Sequence, residues 1–303
     1  MRLAIGLGGN ALLRRKEAPS RENQERNVAI AADALAPLSD THTLVVTHGN
    51  GPHIGILALL EAGQDPTMAQ PLDVLGAETD GWIGHLLAQE FRTRRPAVEL
   101  AVLLTQVRVD PADPAFGRAT KPIGAVYEEE EARRLSEARG WTVVPDGEGW
   151  RRAVPSPAPL EVLDLAILRR LHEAGALVIC AGGGGIPVAR DREGRFRGVD
   201  AVVDKDATTA LLAGGLGVDL LLLLTDVSAV YRDFGTPDEA PIRRIGAGEL
   251  LDLADGLPEG SIAPKARAAA RFVAATGGEA VIGSLAEAAD LVSGAAGTRV
   301  IPD

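Results

Sequence analysis

At 303 residues with 46% hydrophobic side chains, the chain can bury one large α/β core or two ordinary ones, which excludes global disorder. A net charge of −11, the lack of a basic tail and only 3% aromatics exclude a nucleic-acid binder of the usual electrostatic kind. The single cysteine, Cys180, excludes an internal disulfide and any multi-cysteine zinc site; it falls in an apolar run, where a buried thiol is expected.

Short apolar runs alternate with helix-length amphipathic segments. In chain order the pattern predicts strand 2–7, helix 22–37, strand 43–47, helices 52–62 and 76–91, strand 98–105 and helices 128–139 and 159–174. Strand 176–181, helix 205–216, strand 219–225, helix 264–276, strand 279–283 and helix 284–292 follow. The strands are continuous aliphatic runs without polar alternation, the signature of a mainly parallel sheet covered on both faces. Spacing of roughly 35–40 residues between the first strands fits βαβ crossovers. The N-terminal apolar run soon meets Asn10 and Arg14-Arg15-Lys16, too early for a signal peptide, and the longest aliphatic run, Leu220 to Leu224, is far below a membrane span. A soluble cytoplasmic protein without membrane contact is the expectation. From about 108 to 157 the rhythm breaks into a Pro/Gly/Asp-rich segment that reads as a projecting insertion, and 190–203 reads as a β-hairpin turning at Glu193-Gly194.

Glycine turns follow the strands. Gly6-Leu7-Gly8-Gly9-Asn10-Ala11 formally fits a nicotinamide-cofactor fingerprint, which requires an acid at the end of the second strand to hold a ribose. That strand instead runs into Thr47-His48-Gly49-Asn50-Gly51-Pro52, so the dinucleotide reading loses its support. Pro52 suits the first position of a helix, and flanking glycines let amides approach an anion there. Gly8-Gly9-Asn10 and Gly49-Asn50-Gly51 would then line one edge of a parallel sheet, where ligands bind; two ordinary turns remain the alternative. No Gly-Lys dipeptide occurs, so a Walker A loop is absent. The run Gly182 to Gly185, in "AGGGGIP", is expected to keep a cleft open between substrates by its missing side chains.

Only four lysines stand against twenty-seven arginines. Lys121 lies in "TKPIG" within the insertion, Lys205 lies between Asp204 and Asp206 at a helix start, and Lys265 follows Pro264 in another first helical turn. A compact ammonium at the positive end of a helix is unfavourable unless an anion bridges it. The plain alternatives are a solvated loop lysine for Lys121 and an ordinary capping acid for Asp204. His48 and His53 adjoin a glycine turn, with ligand contact and packing both open, and no Ser-His-Asp arrangement or G-x-S-x-G occurs.

Taken together, "LGGNALL", "VVTHGNGPHIG", "PLDVLGAETDGWIG", "TKPIGAVYEEEEA", "WRRAVPSP", "VICAGGGGIPV", "GVDAVVDKDATTALLA" and "GSIAPKARAAARFV" resemble the carbamate kinase family of the amino-acid kinase superfamily, in order and over essentially the whole chain. "SIAPK" departs mildly from the family's frequent "SMGPK". The resemblance implies a three-layer α/β/α sandwich with a mainly parallel central sheet, two lobes and a protruding subdomain. Residues 1–174 would form an N-lobe for the phosphoryl acceptor and for homodimerisation, with the insertion at about 108–157 as the subdomain. Residues 175–303 would form a nucleotide-binding C-lobe. It further implies that Gly8, Gly9 and Asn10 contact the transferring phosphoryl group, and that Gly49, Asn50 and Gly51 face carbamate or phosphoryl oxygens. Lys121, Lys205 and Lys265 would neutralise phosphate charge, with Asp206 orienting the lysines. Thr225, Asp226, Val227 and Tyr231 would lie near the nucleoside and, together with Lys265, bind the nucleotide. The implied reaction is reversible phosphoryl transfer between ATP and carbamate, giving ADP and carbamoyl phosphate, with Mg2+ carried by the nucleotide phosphates. Two rivals remain: a kinase of another small acid on the same fold, and a nucleotide-binding sensor without catalysis.

Overall fold

A computed structural model describes residues 1–14, 17–61, 70–257 and 262–303. The chain begins with β1 (Arg2–Leu7), α1 (Arg21–Leu35), β2 (Thr43–His48), α2 (Gly51–Glu61) and α3 (Leu72–Arg94). It continues through β3 (Leu100–Leu103), β4 (Gln106–Val109), β5 (Lys121–Tyr127), α4 (Glu129–Arg139), β6 (Thr142–Asp146), β7 (Gly149–Val154), β8 (Pro159–Val162) and α5 (Leu165–Glu173). Next come β9 (Leu177–Cys180), β10 (Ile186–Arg190), β11 (Phe196–Gly198), α6 (Lys205–Leu216), β12 (Leu220–Thr225), β13 (Val230–Arg232) and β14 (Ala240–Ile242). The last elements are β15 (Arg244–Gly246), α7 (Ala247–Ala254), α8 (Ile262–Thr276), β16 (Glu279–Ser284), α9 (Ala288–Ser293) and β17 (Thr298–Ile301).

Among the described residues the main sheet has eight strands in the order β15-β17-β16-β12-β1-β2-β9-β3, all parallel to their neighbours except β16 with β17. Leu3, Ile5 and Leu7 of β1 and Leu220, Leu222 and Leu224 of β12 join one core, with α1, α3 and α9. Ala4, Leu221 and Leu223 join the other, with α5, α6, α7 and α8. Alternate side chains of each strand thus enter two dry layers, which is why the strands read as unbroken aliphatic runs. The expected α/β class and mainly parallel sheet hold. Helix α6 has the predicted bounds because both ends are written locally: the Asp204 carboxylate accepts from the amides of Asp206 and Ala207, and Gly217 ends the helix at φ 62°.

Several boundaries differ from expectation. The strand expected over 98–105 stops at Leu103, and the chain changes sheets. At the switch, buried Thr105 donates from Oγ1 to the Leu103 carbonyl at 3.1 Å and accepts the Ala181 amide at 3.1 Å. Residues 106–109 then join a four-stranded sheet ordered β11-β10-β4-β8. That sheet also recruits Pro159–Val162, the start of the expected helix 159–174. Antiparallel pairing with β4, an Arg108–Glu161 ion pair at 2.8 Å and the Gln106 amide on Asp164 at 2.9 Å override the local helical periodicity. The hairpin expected at 190–203 is present as β10–β11, shifted toward the N-terminus, with Gly194 at φ 81° in its turn. Helix α3 extends the expected 76–91 at both ends, and the expected helix 284–292 opens as a 3-10 turn over Leu285–Glu287. Residue 62 of the expected helix 52–62 lies outside the described residues.

Within the segment 108–157, β5, β7 and β6 form a separate three-stranded sheet next to α4. It docks on α2 through two glycines: a Cβ placed on Gly55 would overlap the backbone of Gly124. Among the described residues, no helix is long and apolar enough to cross a membrane.

Candidate active site

The carboxyl ends of five neighbouring strands, β16, β12, β1, β2 and β9, deliver the wall of one cavity of about 860 Å³. Gly8 and Gly9 follow β1, Gly49 to Pro52 follow β2, Gly183 follows β9, Thr225 and Asp226 end β12, and Ser284 ends β16. Ligands of open parallel sheets bind at this edge. The first two loops meet backbone to backbone. A Cβ on Gly49 would stand 2.7 Å from the Gly9 nitrogen and 2.9 Å from its Cα, so only glycine permits the approach.

The four-glycine run corrects the sequence reading. Its missing side chains do not hold a cleft open; they admit neighbouring protein atoms. A Cβ on Gly182 would overlap Asp80 and His48, one on Gly183 would overlap the Asn50 amide, and one on Gly185 would overlap Val107. Gly183, Gly184 and Gly185 also have φ of 67°, 97° and 84°. The turn is locked in place by the Gly182 amide on Asp80 at 3.0 Å and by the Thr208 hydroxyl on the Gly184 carbonyl at 2.8 Å. Only Gly183 of the four borders the cavity.

Three lysines converge here from three elements. Lys205 opens α6 and Lys265 lies in the first turn of α8, so both ammonium groups face one carboxylate. Asp206 accepts Lys205 on Oδ1 at 2.5 Å and Lys265 on Oδ2 at 3.3 Å. Lys121, from β5, pairs with Asp204. One carboxylate of Asp204 therefore both caps α6 and holds Lys121, so the capping reading of this residue was right but incomplete. Burial alone would lower the Lys121 ammonium, but the Asp204 charge and hydrogen bond outweigh it and raise its pKa. Burial works to raise the Asp204 carboxyl, yet Lys121 and then Lys205 hold it far below the usual carboxylate range. Lys205 goes the other way: burial, aided by the Lys265 charge, pushes it down to about 8 against the pull of Asp206. The hydroxyls of Thr47 and Thr209 meet at 2.6 Å and tie β2 to α6, fixing Lys205 relative to the second glycine loop.

Lys121, Lys205, Lys265, Asp206, Gly8, Gly9, Gly49, Asn50, Gly51, Thr225 and Asp226 all border this cavity. Val227 and Tyr231 do not; the Tyr231 hydroxyl lies 2.7 Å from the Ser228 hydroxyl, on the β13–β14 hairpin. Asn10 belongs to the 3-10 turn after β1, and its side chain lies outside the described residues, as do Gly260 and Ser261 before Lys265. His48 and His53 are buried behind the loops and do not border the cavity. His48 packs on Asp80 at 3.4 Å, and His53 stands edge-on to Trp82 with Gln24 at 3.2 Å. Sequence reasoning missed three residues. Thr79 receives the Asn50 amide at 2.8 Å, Asp80 holds the glycine turn, and Arg151 borders the cavity beside Lys121. The first two sit mid-helix, where no local signal marks them.

Glycine amides and lysines gathered on one sheet edge are the equipment of a phosphotransferase. A model of the amino acid kinase family matches residues 1–284. A carbamate kinase of Haemophilus influenzae is 48% identical over 301 residues, covering 99% of this chain and 96% of the relative. The structure of carbamate kinase from Giardia lamblia bound to citric acid superposes with a TM-score of 0.92 at 39% identity, covering 100% of this chain and 98% of that one. The same Giardia enzyme bound to AMP-PNP gives 0.87 at 39% identity, with the same coverage. The chain belongs to the amino acid kinase family and, within it, to the carbamate kinases, which are ATP-dependent kinases.

Proposed function

We propose that the cavity transfers a phosphoryl group reversibly between ATP and carbamate, giving ADP and carbamoyl phosphate. The observation that carries this reading is the convergence of Lys121, Lys205 and Lys265 on one glycine-lined cavity whose wall, among the described residues, contains no histidine. Carbamate is already an anion. Its oxygen attacks the γ-phosphorus, the bond to the β–γ bridging oxygen breaks, and ADP leaves with that electron pair. No proton is removed from the acceptor, so no general base is required, and alignment plus charge stabilisation carry the rate.

In this reading Gly8, Gly9 and Asn10 present the first loop to the transferring phosphoryl group, while Gly49, Asn50 and Gly51 face its acceptor. Lys205 and Lys265 balance phosphate charge in a geometry set by Asp206, and Lys121 reaches in from the three-stranded sheet. Thr225, Asp226, Val227 and Tyr231 lie on the nucleoside side, Val227 acting from the bend after β12 and Tyr231 from the β13–β14 hairpin, both beyond the cavity wall. Among the described residues no three His, Cys, Asp or Glu side chains converge as a metal cage. Asp204 and Asp206 are both engaged by lysines, so Mg2+ enters as part of the nucleotide substrate, held chiefly by phosphate oxygens.

Residues 1–174 form the acceptor-binding half and 175–303 the nucleotide half, with 108–157 as a subdomain over the acceptor. The chain forms a homodimer through the first half. Support comes from β3, an edge strand of the main sheet, which leaves Val102 37% exposed, with Leu104 just after it 54% exposed. Light scattering should give twice the mass of one chain. The reaction is tested by coupled ADP release with carbamate and with N-acetylglutamate as acceptors; turnover on the second and not the first would favour a kinase of another small acid.

A further inference from the structure

Arg151 carries the inference. It is the third residue of β7, its side chain is 15% exposed, and it borders the cavity alongside Gly51, Pro52, Lys121 and Ile123. Its guanidinium is held in part by Gly124 and Asp146. Nε donates to the Gly124 carbonyl at 3.0 Å and Nη1 to the Asp146 carboxylate at 3.1 Å. The Gly124 carbonyl is available because the β5–β7 register shifts between Ile123 and Tyr127, where Gly124 adopts φ 79° and seats against Gly55 of α2. The same seat places Nη2 over the start of α2, 3.9 Å from the position a Cβ on Gly51 would occupy. Arg151 and Lys121 feel each other's charge, since Arg151 works to lower the Lys121 pKa.

The lining of the cavity also includes Pro52, Pro122, Ile123, Val202 and Val203. A positioned guanidinium suits a small planar oxyanion, because its fork can bond two oxygens of one carboxylate-like group. Lys121, a point charge held by Asp204, cannot supply that geometry. We propose that Arg151 binds the carboxylate-like end of the acceptor and sets the selectivity for a small, planar acid. This rests on the phosphotransferase reading above and adds the acceptor contact to it.

The test measures ATP formation from ADP and carbamoyl phosphate by wild type, Arg151→Gln and Arg151→Lys. Glutamine still reaches as a neutral donor, and lysine keeps charge without the fork. The KM for carbamoyl phosphate is expected to rise about tenfold or more in Arg151→Gln and by an intermediate amount in Arg151→Lys, with the KM for ADP unchanged within about twofold. Asp146→Asn, which keeps Arg151 but removes one anchor, should shift the same constant in the same direction by less. An unchanged KM for carbamoyl phosphate in Arg151→Gln overturns the proposal. So does a parallel rise in both KM values with a lower melting temperature, which marks a purely structural arginine. Inactivity of the wild type would instead defeat the reaction assignment.

Discussion

The Asp206 carboxylate holds Lys205 at 2.5 Å and Lys265 at 3.3 Å, so one buried anion indexes two cations from two different helices. In the proposed mechanism, removing either cation deletes a charge that acts on the phosphates, whereas removing the anion leaves both present and misplaced. Lys265→Ala should lower turnover on the order of 100-fold or more, the usual loss when a stabilising contact to developing charge is deleted. Asp206→Asn should lower kcat on a similar scale, with little change in the nucleotide KM. Steady-state kinetics check both, and near-normal turnover in Lys265→Ala would remove its assigned role.

The Lys205 ammonium, pushed down to about 8, predicts a basic limb in activity. Below that pH the group is charged and, in the proposed mechanism, attracts phosphate; above it the group is neutral and that attraction is lost. The kcat/KM for ADP should therefore fall as pH rises through about 8, since that ratio reports the free enzyme. Lys205→Arg should move the limb beyond pH 10, because a guanidinium does not titrate there. A limb that stays in place in the arginine variant would point to another group.

The glycine turn after β9 predicts a stability effect. A Cβ in Gly182→Ala would overlap Asp80 and His48, both fully buried, so neither can swing into solvent. The cost should be about 1–3 kcal/mol, the range for overpacking a dense site. Urea unfolding with an unchanged m-value would measure it, and a variant as stable as wild type would contradict the packing described.

Acid sensitivity should come in part from His53. Burial, helped by the His48 charge, lowers its pKa to about 4 from an ordinary value of 6.5. Between those values the unfolded chain binds a proton that the folded chain refuses, so stability falls as pH drops through this window. The full difference is about 3 kcal/mol at pH 4. Urea midpoints at pH 7 and pH 4.5 should differ less in His53→Gln than in wild type; equal differences would show that His53 is not the group.

Much of this was legible in the sequence, for identifiable reasons. The strands of the main sheet are buried on both faces, so their aliphatic runs announce themselves, and α6 is bounded by its own capping acid and terminal glycine. The lysines of the site could be found because lysine is so scarce in an arginine-rich chain. What was not legible depends on partners far away in the chain. Pro159–Val162 becomes a strand only because β4 has an open edge. Asp80 and Thr79 matter because α3 passes behind loops 102 and 29 residues away in sequence. The glycine run was legible as a demand for bare backbone, but its beneficiary, packing and not an open cleft, appears only once His48, Asn50 and Val203 are in place.

The central claim is that this cavity exchanges a phosphoryl group between carbamoyl phosphate and ADP. The direct measurement is ATP formation from these two compounds with Mg2+ and purified chain. The account predicts one ATP for each carbamoyl phosphate consumed, with the rate collapsing in Lys265→Ala. A folded chain that forms no ATP from carbamoyl phosphate, yet forms it from another acyl phosphate, would contradict it.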